Sequence, residues 1–154
     1  MLRDHLIAAL SHNFPTVPFV FGTLPDPVAM LPCPCAKVGN LVIYDDGDEA
    51  TVDLTEVTHS HFNSYDESLS NEEHERRIAE DLVDFLKALF ADQVLLFRTQ
   101  NRGMGGWCRL DRSNECPRPE IRCEYFLWSR PFQFGQDGLP VNPFSQTKEP
   151  MSDC

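Results

Sequence analysis

His59-Ser60-His61 is the segment with the most definite chemistry in this chain. In an extended backbone, residues two apart point to the same side, so two imidazoles at this spacing can reach one metal ion. Cys33-Pro34-Cys35 has the same spacing, and Pro34 favours the extended path that would present both sulfurs together. His59, His61, Cys33 and Cys35 thus have the composition of a Cys2His2 zinc set. The spacing argues against a standard knuckle, because C-x-C stands where C-x2-C is usual and the two pairs are far apart in the chain. The plainer alternative makes the histidines polar strand residues and the cysteines small packing residues.

Other constellations are weaker. The acidic run Asp45-Asp46-Gly47-Asp48-Glu49 lacks the ligand order of a calcium loop, since its glycine comes too early and no helix precedes it. A solvated hairpin tip is expected there. Gly103-Met104-Gly105-Gly106 lacks both the Lys-Ser/Thr of a phosphate loop and the spacing of a dinucleotide fingerprint, and reads as a turn. Cys108, Cys116 and Cys123 with His59, His61 or His74 could supply parts of a nucleophilic site, but no local signature assembles them. Cys123 alternates with core residues and is expected to be buried and inert.

Charge is distributed very unevenly. Residues 45–92 carry fifteen Asp or Glu against Arg76, Arg77 and Lys87, a net of −12 in a chain of −11. Such a face repels phosphate backbones and attracts cationic partners. Residues 93–134 run the other way, with seven arginines and no lysine among them. Interleaved with Trp107, Tyr125, Phe126 and Trp128, these arginines could suit single-stranded nucleic acid. The negative total disfavours that, and ion pairing within the molecule or across a dimer is the better expectation.

The elements that would position these groups follow from periodicity. Leu2, Leu6, Ile7 and Leu10 predict a short N-terminal helix ended by Pro15. Six prolines from Pro15 to Pro34 predict an extended path, with Val17–Phe21 as an edge strand or an apolar strap. Leu41–Tyr44 and Ala50–Leu54 predict a hairpin across Asp46-Gly47, and Val57–Phe62 a third strand. Ser70-Asn71-Glu72-Glu73 is a capping box opening a long helix whose apolar stripe is Ile78, Leu82, Phe85, Leu86, Leu89 and Phe90. Gln93–Thr99, Trp107–Leu110 and Ile121–Trp128 predict strands, and 114–119 a loop.

The expected fold is therefore α+β: a two-layer sandwich of an antiparallel sheet with one long amphipathic helix on one face and a short N-terminal helix. Residues 1–134 are expected to form a single domain and 135–154 a loosely ordered tail. No apolar run near the N-terminus suits a signal peptide and none is long enough for a membrane helix, so a cytoplasmic protein with no membrane partner is expected. That setting favours thiols over disulfides for the six cysteines.

The stretch LVIYDDGDEATVDLTEVTHSHFNSYD followed by DLVDFLKALFADQVLLF resembles a group of small uncharacterised acidic bacterial proteins over about residues 38–99. Small acidic proteins of this kind recur among immunity proteins of bacterial toxin systems. The likeness to immunity proteins is one of composition, and the resemblance brings no established activity and no site residues with it.

The leading expectation is a non-enzymatic binding or regulatory protein that docks a basic protein partner. Its acidic face would comprise Asp45, Asp46, Asp48 and Glu49 of the hairpin with Glu73, Glu80, Asp81 and Asp84 of the helix. A second expectation is a metal-binding domain or metal-dependent hydrolase using His59 and His61, with a cysteine or Asp53 completing the shell and zinc as the ion. A third is a homodimer that pairs its acidic and arginine-rich faces. Nucleic acid is not an expected partner.

Overall fold

The computed structural model describes residues 1–101, 103–112 and 123–132. Their architecture is α+β, with two helices and two antiparallel sheets. The expected tail at 135–154, the loop at 114–119 and the first residues of the strand expected from Ile121 lie outside the described residues. The chain divides into two compact units.

The first unit comprises Met1–Pro32, Asn40–Thr55 and His59–Lys87. It opens with α1 (Leu2–Asn13), which buries Leu2, Leu6 and Leu10 and stops just before Pro15. A five-stranded sheet follows in sequential order: β1 (Val20–Phe21), β2 (Ala29–Pro32), β3 (Asn40–Asp45), β4 (Glu49–Leu54) and β5 (Thr58–Asn63). β3 and β4 form the expected hairpin, with Ile43 opposite Val52 and Leu41 opposite Leu54. Gly47 takes φ +95° in its turn, the conformation for which an Asp-Gly pair is suited.

The period of two along the strands sorts the two faces. Ala29, Leu31, Leu41, Ile43, Ala50, Val52 and Leu54 are buried on one side. α2 (Asn71–Phe90) buries Ile78, Leu82, Phe85 and Leu86, and the Phe85 ring lies 5.4 Å from that of Phe62 on β5. The long helix therefore lies on the apolar face. The opposite face carries Glu49, Thr51, Asp53, His59 and His61.

One charged side chain holds the proline-rich segment in place. Arg3 of α1 is buried, and its guanidinium donates to the carbonyl oxygens of Gly22, Asp26 and Pro27 at 2.8–3.1 Å. These carbonyls belong to a stretch with too few backbone donors to satisfy itself, because proline has no N–H.

α2 starts at the predicted box. The Ser70 N–H donates to Glu73 Oε2 at 2.9 Å, the Ser70 hydroxyl to the same oxygen at 2.7 Å, and the Glu73 N–H reaches back to Ser70 Oγ at 3.4 Å. These bonds lower the Glu73 pKa from its ordinary value of 4.5. A carboxyl depressed on folding contributes stability above its unfolded pKa and loses it as pH falls through the folded one. Ser70→Ala is thus expected to cost about 1 kcal/mol in urea melts at pH 7. The cost should shrink as the pH falls through the lowered folded pKa of Glu73, where the carboxylate protonates in wild type as well.

The second unit comprises Cys33–Gly39, Glu56–Thr58 and the described residues from Ala88 onward. Its sheet has the order β7-β6-β8, with β6 (Val94–Thr99) central and antiparallel to both β7 (Gly105–Arg109) and β8 (Cys123–Phe126). Val94, Leu95 and Leu96 are fully buried, as expected for a central strand without alternation. Leu95, Cys108, Leu127 and Phe132 form the core, with Leu110 and Tyr125 packed against it. The strands after the long helix thus make a sheet of their own, where a single sheet is the sequence expectation.

Candidate functional site

A groove of about 570 Å³ opens in the first unit between the hairpin tip, the segment after β5 and the first turns of α2. Asp48, Glu67 and Glu75 supply carboxylates to its wall, and Tyr65, Asn63 and His74 supply polar and aromatic surface. Ile78 adds an apolar patch. Tyr65 is 88% exposed, so its ring face is available to an incoming group.

The structure re-sorts the acidic residues picked from sequence. Asp45 is used internally: it accepts the Arg3 main-chain N–H at 2.9 Å and the Gly47 N–H at 2.9 Å. Asp46 accepts the Thr51 hydroxyl at 2.6 Å, and Glu49 pairs with His61 at 2.9 Å. Glu73 is committed to the capping box with Ser70. Asp48 is the one tip carboxylate that lines the groove, and neither it nor Glu67 has a partner among the described residues. Glu75 lies 3.4 Å from the terminal amine of Met1 and 3.5 Å from His5 Nε2.

The outer face of α2 is less acidic than its count of carboxylates suggests. Arg76, Arg77 and Lys87 share that exposed surface with Glu80, Asp81 and Asp84. Arg76 approaches Glu80 at 3.9 Å and Arg77 approaches Asp66 at 3.8 Å. The charge there is mixed, whereas no Lys or Arg is among the described residues that line the groove. Sequence reasoning missed Tyr65, Glu67 and Glu75 as members of the site. The available signal was the acidic, aromatic stretch between β5 and the capping box, which has no periodicity of its own.

The metal candidates separate into the two units. His59 and His61 sit on the open face of β5 with ring centres 5.1 Å apart. Cys33 and Cys35 belong to the second unit. Cys33 is buried, its thiol donates to the Trp128 carbonyl at 3.3 Å, and its pKa is pushed up to about 11, first by burial and further by the charge of Asp92. Cys35 is disulfide-bonded, as is Cys108, while Cys33 and Cys123 are free. The expectation of thiols throughout is therefore corrected at Cys35 and Cys108. Disulfide bonding leaves Cys35 no thiolate for a metal and removes Cys108 as a nucleophile. Cys123 is half-buried, more accessible than expected. Cys116 and Cys154 lie outside the described residues. Among the described residues no three His, Cys, Asp or Glu side chains come together as a metal-holding group.

The arginines read as pairing groups are partly placed. Arg98 is buried, and its guanidinium donates to Glu124 Oε2 at 2.9 Å and to the main-chain oxygens of Lys37 and Glu56 at 2.9 and 2.8 Å. It also lies 5.1 Å from the Phe126 ring centre. Arg109 pairs with Asp111 at 3.1 Å. Such groups are committed inside the fold and have little left to offer a phosphate backbone. Gly105 and Gly106 open β7, so the strand begins two residues before the turn reading of 103–106 allows, and no helix starts there. Among the described residues no helix is long and apolar enough to cross a membrane.

No family model, curated protein or solved structure matches this chain.

Proposed function

We propose that this chain is a non-enzymatic acidic binding protein that docks a basic segment of a protein partner in the groove beside Tyr65. The observation that carries the reading is a concave surface with three carboxylates, no Lys or Arg among its described lining residues and an exposed aromatic ring. A lysine or arginine entering it meets Asp48 and Glu67, which have no partner to displace among the described residues, and a ring face that attracts cations. The neighbouring charges of the hairpin and helix would steer encounter, so association should be fast at low salt and slowed by added salt. A cytoplasmic setting is part of this reading. The disulfide-bonded state of Cys35 and Cys108 counts against it, because such bonds persist mainly in oxidising compartments. The docking chemistry is the same in either.

A fluorescent hexa-arginine peptide tests the reading. Two exposed charge contacts of about 0.7 kcal/mol each amount to roughly tenfold in affinity. Asp48→Asn/Glu67→Gln is therefore expected to weaken peptide binding about tenfold at low ionic strength. Glu80→Gln/Asp81→Asn/Asp84→Asn, which removes more charge from the helix exterior, should change it less. Equal losses in the two variants would mean that net charge alone attracts the peptide and that the groove is not its seat.

A further inference from the structure

The open face of the five-stranded sheet carries a second arrangement, independent of the groove reading. Glu49, Thr51, Asp53, His59 and His61 all project from it, on the adjacent strands β4 and β5. The hydrogen bonds among them fix one imidazole. The Thr51 hydroxyl donates its single proton to Asp46 Oδ2 at 2.6 Å, so its oxygen can only accept from His61 Nδ1, 3.0 Å away. Glu49 Oε1, 2.9 Å from the same nitrogen, is also an acceptor. Nδ1 therefore carries the ring proton, and in the neutral ring the lone pair lies on Nε2. A histidine whose outer N–H is held by a carboxylate while its other nitrogen is left basic is the usual form of a metal-ligating histidine.

The second imidazole lies at the separation that a shared ion requires. With zinc–nitrogen bonds of about 2.0–2.1 Å and a tetrahedral angle, the centres of two imidazoles on one zinc are about 5 Å apart. The ring centres of His59 and His61 are 5.1 Å apart and the rings are nearly perpendicular, at 85°. His61 is 50% exposed, so an ion reaches the pair without opening the fold.

We propose that His59 and His61 form a surface site for a borderline transition-metal dication, zinc or copper(II), with Glu49 as the carboxylate that holds His61 in its ligating tautomer. The protein supplies two ligands and water completes the shell, in keeping with the absence of a three-residue metal group among the described residues. Such an open site binds more weakly than a closed structural one and leaves coordination positions for a ligand.

The test is a zinc titration of the full-length, tag-free chain against a chromophoric zinc indicator, with thermal melts to verify that each variant is folded. Wild type should take up one equivalent of zinc. His59→Ala/His61→Ala should remove that equivalent, and Glu49→Gln should weaken it by about 10–100-fold. Millimolar calcium, which prefers oxygen ligands, should not displace it. No uptake by wild type overturns the proposal. So does uptake that survives loss of both histidines, or uptake that calcium abolishes, since either would place the ion on the surface carboxylates. Because Asp48 and Glu67 are intact in all these variants, a failure here leaves the groove reading untouched.

Discussion

Arg98→Met is expected to lower the unfolding free energy by about 3 kcal/mol, the order of cost of leaving buried main-chain acceptors without their donor. The side chain is 5% exposed, and its guanidinium satisfies two main-chain carbonyls as well as Glu124. Removal leaves the Lys37 and Glu56 oxygens without their donor, and methionine fills the space without replacing it. Lysine is no substitute, because one ammonium cannot reproduce the planar fork that serves three acceptors. Arg98→Lys should recover less than half of the loss in urea denaturation. If Arg98→Met unfolds at the wild-type urea midpoint, the network is not what holds the second unit together.

The second large effect comes from backbone proximity. Gly105 begins β7 opposite Arg98, and a Cβ at this position would lie 1.8 Å from the Val57 carbonyl oxygen and 2.9 Å from its carbon. Those atoms belong to main chain, so a strand must move to admit even a methyl group. Overpacking of this kind costs about 1–3 kcal/mol, and more where backbone has to shift. Gly105→Ala is accordingly expected to cost about 3 kcal/mol. Gly103→Ala serves as the control: its Cβ would meet only the side chain of Asn101, at 3.3 Å, and the variant should melt close to wild type.

Much of the fold was legible because its signals are local. The capping box at Ser70 fixes the start of α2 through bonds between residues three apart. The Asp-Gly turn and the alternation of Ala50, Val52 and Leu54 fix the hairpin and its buried face. What was not legible depends on distant partners. β2 ends on Pro32 within a run of prolines, and pairing with β3 makes it a strand despite that composition. The gathering of the last strands into their own sheet is a choice of partner, on which the alternation pattern of Val94–Thr99 is silent.

The site was legible in the same measure. That His59 and His61 face the same way follows from their spacing, but the Glu49 and Thr51 contacts that select a tautomer arise from cross-strand neighbours. An excess of acid on the hairpin and helix was visible in the composition. Which acids are available was not, because Asp45, Asp46 and Glu73 are committed by bonds that only the folded chain makes. Arg76, Arg77 and Lys87 fall on the same exposed helix surface as Glu80, Asp81 and Asp84, so a linear count overstates the charge that a partner would meet there.

The most direct test of acidic docking is a proton–nitrogen correlation titration of isotopically labelled protein with hexa-arginine, repeated at high salt. Groove docking predicts that the peptide shifts the amides of Gly47, Asp48, Asn63, Tyr65 and His74 first. Those shifts should be lost in Asp48→Asn/Glu67→Gln and reduced by salt. Shifts spread evenly over α2 to Asp84 and Lys87, or no shifts at low salt, would contradict it.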